Sequence, residues 1–159
     1  MEALECIKTR RSIRKFTDTA VDHNTVGAII DAARMAPSWK NTQIVRYNVI
    51  ENKAILDQIA NECVLDFEYN QKTISRAPQL VVVSMVEKRC GYERDGSYTT
   101  SKEDRWEMFD AGIASQTFCL AAHDKGVGTV ILGIFDEAKV AEAISLPENE
   151  KVAALIVMG

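Results

Sequence analysis

Apolar positions recur along this chain with two different periods, and where one period gives way to the other the elements can be laid out. Ala3, Leu4 and Ile7 suit the apolar face of a short helix from Met1 to Thr9. Val26, Ile29, Ile30 and Ala33 fall at i, i+3, i+4 and i+7, which predicts an amphipathic helix with Asp22 or Asn24 as its N-cap and Pro37 barring its continuation. Ile44 to Ile50 alternates as a strand does, with Val45, Tyr47 and Val49 on one face. Leu56, Ile59, Ala60, Cys63 and Phe67 mark the inner side of another helix. Leu80 to Val86 is almost uninterrupted by polarity, the pattern of a strand covered on both faces.

The longest helix is predicted from Asp104 to Lys125, with Gly126 as its C-cap. Between Ala111 and Ala122 it is apolar or small on nearly every side, so it belongs at the centre of the fold and is a candidate for a subunit interface. Val127 to Leu132 reads as a strand with Gly133-Ile134-Phe135 as its exit. Glu137 to Ser145 follows as a helix capped by Asp136, and Lys151 to Met158 is the last strand. About four strands interleaved with five helices imply an α/β or α+β sheet covered on both faces.

Four connections carry the polar chemistry. Arg10-Arg11-Ser12-Ile13-Arg14-Lys15-Phe16 gathers four cations and a hydroxyl, a set suited to cradling an anion, while Ile13 and Phe16 can anchor the segment. The competing reading, cations that merely complement the end of the first helix, accounts for one such residue but not for the whole cluster. Pro37 to Gln43 is dense in hydrogen-bonding groups around Trp39, and is either a binding loop or a polar connection in which Trp39 covers a core edge. Asn70 to Thr73 forms a polar patch. Glu87 to Glu103 is long, charged and aperiodic, as a lid or a disordered insertion would be.

A formal charge of −4 over 159 residues argues against general nucleic-acid binding, so the basic cluster is a local feature. The four cysteines show no close pairing, and two histidines are too few to suggest a Cys/His zinc site; the thiols read as reduced and mostly buried. The absence of a signal peptide and of a bilayer-length apolar run leads to an expectation of a cytoplasmic chain with no membrane partner. Gly126-Val127-Gly128 precedes a strand and lacks the further glycine of a dinucleotide-binding turn, so no Rossmann unit is read here.

Taken together, Arg10-Arg11-Ser12-Ile13-Arg14, Ala36-Pro37-Ser38 with Asn41 and Gln43, Asp110-Ala111-Gly112-Ile113-Ala114, and Gly126-Val127-Gly128 leading to Gly133-Ile134-Phe135-Asp136 resemble the nitroreductase-like flavoproteins. The blocks occur in family order and cover nearly the whole chain. The resemblance implies one α+β domain over residues 1–159, a three-layer α/β/α sandwich on a mixed, largely antiparallel sheet, and a homodimer with FMN at its interface. Carried over by position, Arg10 and Ser12 are phosphate ligands, Arg11 a neighbouring contact, and Arg14 a residue at the flavin N1/O2 edge. Asn70 is a pyrimidine-edge partner, with Lys72 or Thr73 less firmly matched. Pro37, Ser38, Trp39 and Asn41 come from the partner subunit. Leu132, Gly133 and Ile134 pass beside flavin N5, where the absent side chain of Gly133 leaves room for substrate.

The activity implied is ping-pong hydride transfer from NADH or NADPH to a nitroaromatic, quinone or other small electron-poor acceptor, with no catalytic side chain required. The family's Gly-x-Pro extension after the last strand, with its basic residue near the phosphate, has no counterpart before Gly159, so the expectation is a domain lacking that tail. Other readings are a flavin carrier or redox sensor, a dehalogenating or flavin-degrading enzyme on the same fold, and a flavin-free interaction protein.

Overall fold

The apolar runs become the middle of a four-stranded antiparallel sheet. In a computed structural model that describes residues 1–159, β1 (Val45–Ile50), β2 (Gln79–Val86), β3 (Thr129–Leu132) and β4 (Glu150–Met158) lie in the order β1-β2-β4-β3. Every residue of β2 is buried, because it is a central strand with helices on both sides. Leu80 and Val82 face one layer, built from α3 (Lys53–Glu62), α4 (Glu68–Ser75) and α6 (Glu137–Ala143); Val81 and Val83 face the other, built from α2 (His23–Ala33) and α5 (Arg105–Asp124). The result is three layers. Each fully buried large side chain, such as Ile29, Phe118 or Leu155, contributes roughly 1.5–3 kcal/mol to holding them together.

The β2–β4 pairing passes from Val83↔Ala154 to Ser84↔Val152, so β4 carries one extra residue there. Val152 on one side of this bulge, and Leu155 and Val157 on the other, therefore all reach the same core layer despite their mixed parity. All strand pairings are antiparallel; the single parallel contact is a bridge from Ser12 to Thr129, along the outer side of β3.

Caps mark the helix ends as the sequence predicts. Asp22 Oδ1 accepts the backbone N–H groups of Asn24 and Thr25, and Asp136 Oδ1 accepts that of Lys139. At the far end of α5, Gly126 adopts φ +76° and donates to His123 O, while Val127 donates to Ala122 O. That paired closure requires a left-handed residue, which glycine supplies without strain.

Three expectations need correction. The apolar series from Leu56 to Phe67 is not one helix: Leu65 and Asp66 take φ of 52° and 55°, the chain turns, and Phe67 becomes the partly exposed residue ahead of α4. The polar patch Asn70 to Thr73 is consequently helical, with Asn70 and Thr73 buried beside Ile74, and the helices number six. On α1 (Ala3–Thr9) Leu4 and Ile7 face outward; only Cys6 is buried, its thiol donating to Leu120 O.

The segment 87–103 is an ordered loop, closed by a Tyr92–Tyr98 bridge. One ammonium group holds its base: Lys151 lies 2.7 Å from buried Glu107 and within 4 Å of Glu87 and Asp104, where the loop begins and ends. Burial works to lower the Lys151 pKa, yet the carboxylates, Glu107 first, hold it above its ordinary value. No helix is long and apolar enough to cross a membrane.

Candidate functional site

Where α1 ends, Arg10 turns extended and its N–H closes on Cys6 O. Ile13 then donates its backbone N–H to Thr129 O at 2.9 Å, fastening the basic segment along β3. Gly128 permits that approach: a Cβ there would lie 3.0 Å from Ile13 Cγ2 and 3.1 Å from the carbonyl of Gly159. A Cβ at Gly159 would likewise meet Phe16 at 3.1 Å. Close packing of the basic segment is thus the local role of Gly128, and Ile13 and Phe16 are its anchors.

The cations divide. Arg11 donates to Lys8 O and Arg10 O, both at 2.8 Å, so for this residue the helix-end reading holds. Arg14 makes one long contact, 3.4 Å, to Ser12 O. None of Arg10, Arg14 and Lys15 takes part in an ion pair. Unpaired positive charge therefore lines the outer side of β3 in an acidic chain.

At the other end of β3, Leu132 is buried while Gly133 and Ile134 are exposed. A Cβ on Gly133 would meet nothing within 4 Å, so the space in front of it is open. Asn70 from α4 donates Nδ2–H to Ile134 O at 3.0 Å and so fixes the exit of β3. From Thr129 to Gly133 is four residues, ~13 Å of extended chain. Because the Ser12 bridge is parallel, Arg14 lies on the Gly133 side of Ser12 and Arg10 on the far side.

Pro37 to Gln43 is a tightly tied loop around a single 3₁₀ turn, Trp39–Asn41. Lys40, Asn41 and Gln43 all take positive φ, between 45° and 55°. Ser38 Oγ accepts the Gln43 N–H, and Gln43 Nε2 donates to Asn41 Oδ1. The Trp39 N–H is shared by the two carboxylate oxygens of Asp110, at 3.1 and 3.0 Å. Trp39 packs on the core edge, and the Lys40 ammonium sits 4.4 Å from its ring centroid while pairing with Glu93 at 2.9 Å. Asp110 also accepts the Cys90 thiol, whose pKa burial and that carboxylate together push up to about 12.

Two clefts open here. One of about 270 Å³ lies between α2, β1 and α5; the other, of about 260 Å³, is walled by Trp39, Trp106, Phe109 and Ile113. Pro37, Ser38 and Asp110 line both.

The sequence-predicted residues thus form two groups. Arg10, Arg11, Ser12, Arg14, Asn70, Leu132, Gly133 and Ile134 gather around β3; Pro37, Ser38, Trp39 and Asn41 stand ahead of β1. These strands are opposite edges of the sheet, three interstrand steps or ~14 Å apart. Two further residues, Asp110 and Lys40, organise the second group. A signal for Asp110 existed in its being the one carboxylate within the apolar and small run Phe109 to Ala114; nothing in the sequence marks Lys40 as a partner of Glu93.

Comparison with known proteins adds three kinds of likeness. A family model described as the nitroreductase family matches residues 7–72 and 65–159. A Methanothermobacter thermautotrophicus protein, provisionally named NADH dehydrogenase/NAD(P)H nitroreductase, is 31% identical over 100% of this chain and 77% of its own length. Among solved structures, a nitroreductase family protein from Clostridium novyi NT superposes with a TM-score of 0.84 at 34% identity, covering 100% of this chain and 84% of that one. A Desulfovibrio desulfuricans protein solved in complex with FMN gives a TM-score of 0.78 at 30% identity, covering 99% and 84%.

Proposed function

Because the chain belongs to the nitroreductase family, we propose that it is an FMN-dependent NAD(P)H oxidoreductase whose acceptors are nitroaromatics, quinones or similarly electron-poor molecules. The observation that carries this reading is the use of β3 as a spine. Cations without ion-pair partners flank its first residue, and an open glycine follows its last, ~13 Å away.

The residues fit the cofactor. Arg10 and Ser12 offer charge and a hydroxyl to the phosphate, and Arg11 adds positive potential while its donors stay on the end of α1. Arg14, nearer Gly133, would serve the N1/O2 edge of the ring, where a fixed cation would favour electron density and so raise the driving force for reduction. Asn70 has its Nδ2 committed to Ile134 and offers its oxygen to the pyrimidine edge. Gly133 presents backbone without bulk, and with Leu132 and Ile134 on either side it would lie beside N5, leaving an approach for the second substrate.

FMN, when bound, supplies the hydride relay between NADH or NADPH and the acceptor. The chain binds, orients and tunes it without an acid, base or nucleophile of its own. In this reading the protein is a homodimer, and Pro37, Ser38, Trp39 and Asn41 of one subunit close over the cofactor held by the other.

The test is an absorption spectrum of the purified protein before and after anaerobic addition of NADH or NADPH. A bound flavin that bleaches, and recovers on adding a nitroaromatic or quinone, is the expected result. A flavin that binds but stays oxidised would make the protein a carrier. A colourless protein that gains no thermal stability from added FMN would overturn the reading altogether.

A further inference from the structure

Asp110 is buried to 2% exposure on α5 and forms no ion pair. Its neighbours on the helix, Ala111 and Ala114, are small and apolar and offer it no hydrogen bond from a side chain. A carboxylate in such a place is costly unless its oxygens are satisfied, and all the donors it receives come from two segments outside its own helix. The Trp39 N–H reaches both oxygens, and the Cys90 thiol reaches one at 3.1 Å.

Each segment has ties of its own, and Asp110 is the buried side chain that accepts hydrogen bonds from both. The loop 37–43 contains three non-glycine residues at positive φ, a conformation that costs of order 1 kcal/mol or more per residue and persists only where the surroundings over-determine it. Cys90 lies near the start of the long 87–103 segment, whose Glu93 makes the second tie, to Lys40, at the surface. Exposed ion pairs of this kind contribute little, so the buried carboxylate is the stronger fastening.

We infer that Asp110 is a positioning residue for the cofactor site of the other subunit: it holds Pro37 to Asn41 in the shape that closes over the partner's FMN, and couples that loop to the 87–103 segment. This rests on the proposed homodimer with FMN at its interface. Asp110 itself touches no cofactor.

A mixed dimer separates this role from a merely structural one. Differently tagged Arg10→Ala and Asp110→Ala subunits are co-expressed and the heterodimer is isolated. If Asp110 acts across the interface, one site carries both lesions and the other carries neither. The expected result is half a flavin per subunit bound with wild-type affinity, although each parent homodimer binds FMN at least tenfold more weakly. If Asp110 acts only within its own subunit, both sites are damaged and no high-affinity site remains, which would overturn the inference.

Wild-type FMN affinity in the Asp110→Ala homodimer would overturn it equally. Should that variant fail to fold, Asp110→Asn, which keeps the shape and one acceptor oxygen, replaces it in the same mixture and is read the same way. Arg10→Ala mixed with Asn41→Ala is the control. If this control yields the half-site and the Asp110 mixture does not, the dimeric FMN site stands and the role of Asp110 falls. A wild-type protein that binds no FMN would instead remove the proposed function itself.

Discussion

Arg10 and Arg14 sit on one short segment, yet the direction of the Ser12–Thr129 bridge gives them different neighbours along β3. Arg10→Ala is therefore expected to weaken FMN binding by about tenfold, ~1.4 kcal/mol, with little change in the melting temperature. Arg14→Ala should chiefly slow flavin reduction and lower the flavin potential. Titration of FMN fluorescence and anaerobic stopped-flow reduction separate the two. Gln79 illustrates a residue that serves the fold alone. Fully buried, it accepts the Val21 N–H, donates to Val21 O and also donates to Glu51. Gln79→Leu should cost roughly 1–3 kcal/mol in denaturant unfolding, since it strands both backbone groups. Glu51 is held below its ordinary carboxylate value by His23 first and then Gln79, and His23 is raised by Glu51. A lowered carboxylate stabilises above its unfolded pKa and a raised histidine stabilises below its own, so the pair contributes most between about 4.5 and 6.5. The gap in melting temperature between wild type and His23→Ala should be widest there, and should close as the pH rises above that window.

Elements were legible where one physical cause dominated. Buried β2 announced itself by an apolar run broken only at Ser84, and α5 by its small residues and the glycine at its end. What stayed hidden depends on contacts distant in sequence. The break at Leu65–Asp66 left no Gly or Pro as a signal, so the helix of α3 reads on to Phe67, and α4 reads as a polar patch around Asn70 instead of a helix. Outward-facing Leu4 and Ile7 obey helical periodicity as well as buried residues would. Around the candidate site, the basic segment could be read from its residues and the glycine beyond β3 only through the family resemblance, whereas the acceptor role of Asp110 toward a residue 71 positions away could not be read at all. Gly128 joins the two levels. Its substitution by Ala would push Ile13 and the Gly159 carbonyl outward by tenths of an ångström, shifting the basic segment against β3. A loss of about 1–3 kcal/mol in stability is expected from such overpacking, together with weaker FMN binding. Unchanged FMN affinity in Gly128→Ala would mean the segment's placement does not matter to the ligand.

At the scale of the molecule, the two groups of candidate site residues stand at opposite edges of one sheet, so in the proposed reading a single chain would present two incomplete halves. Two copies related by a twofold axis convert two halves into two whole sites, which is the economy of an isologous dimer. The outer surface is consistent with that arrangement. Leu4 and Ile7 on α1, and Met108 and Phe109 on α5, are each more than half exposed, and Gly112 and Gln116 continue an exposed stripe along α5. In the proposed homodimer these open apolar side chains would be covered by the partner. Phe109 also walls the cleft beside Trp39, so a charge there should strike assembly and cofactor binding together. Wild type is expected to sediment as a dimer, and Phe109→Asp to raise the dimer dissociation constant at least tenfold, ~1.4 kcal/mol. FMN affinity in that variant should then fall on dilution in step with dissociation, as followed by sedimentation velocity at the flavin absorbance. A Phe109→Asp monomer that kept wild-type FMN affinity would show that one chain completes the site alone, and the two-edge arrangement would have to be explained by something other than a shared cofactor.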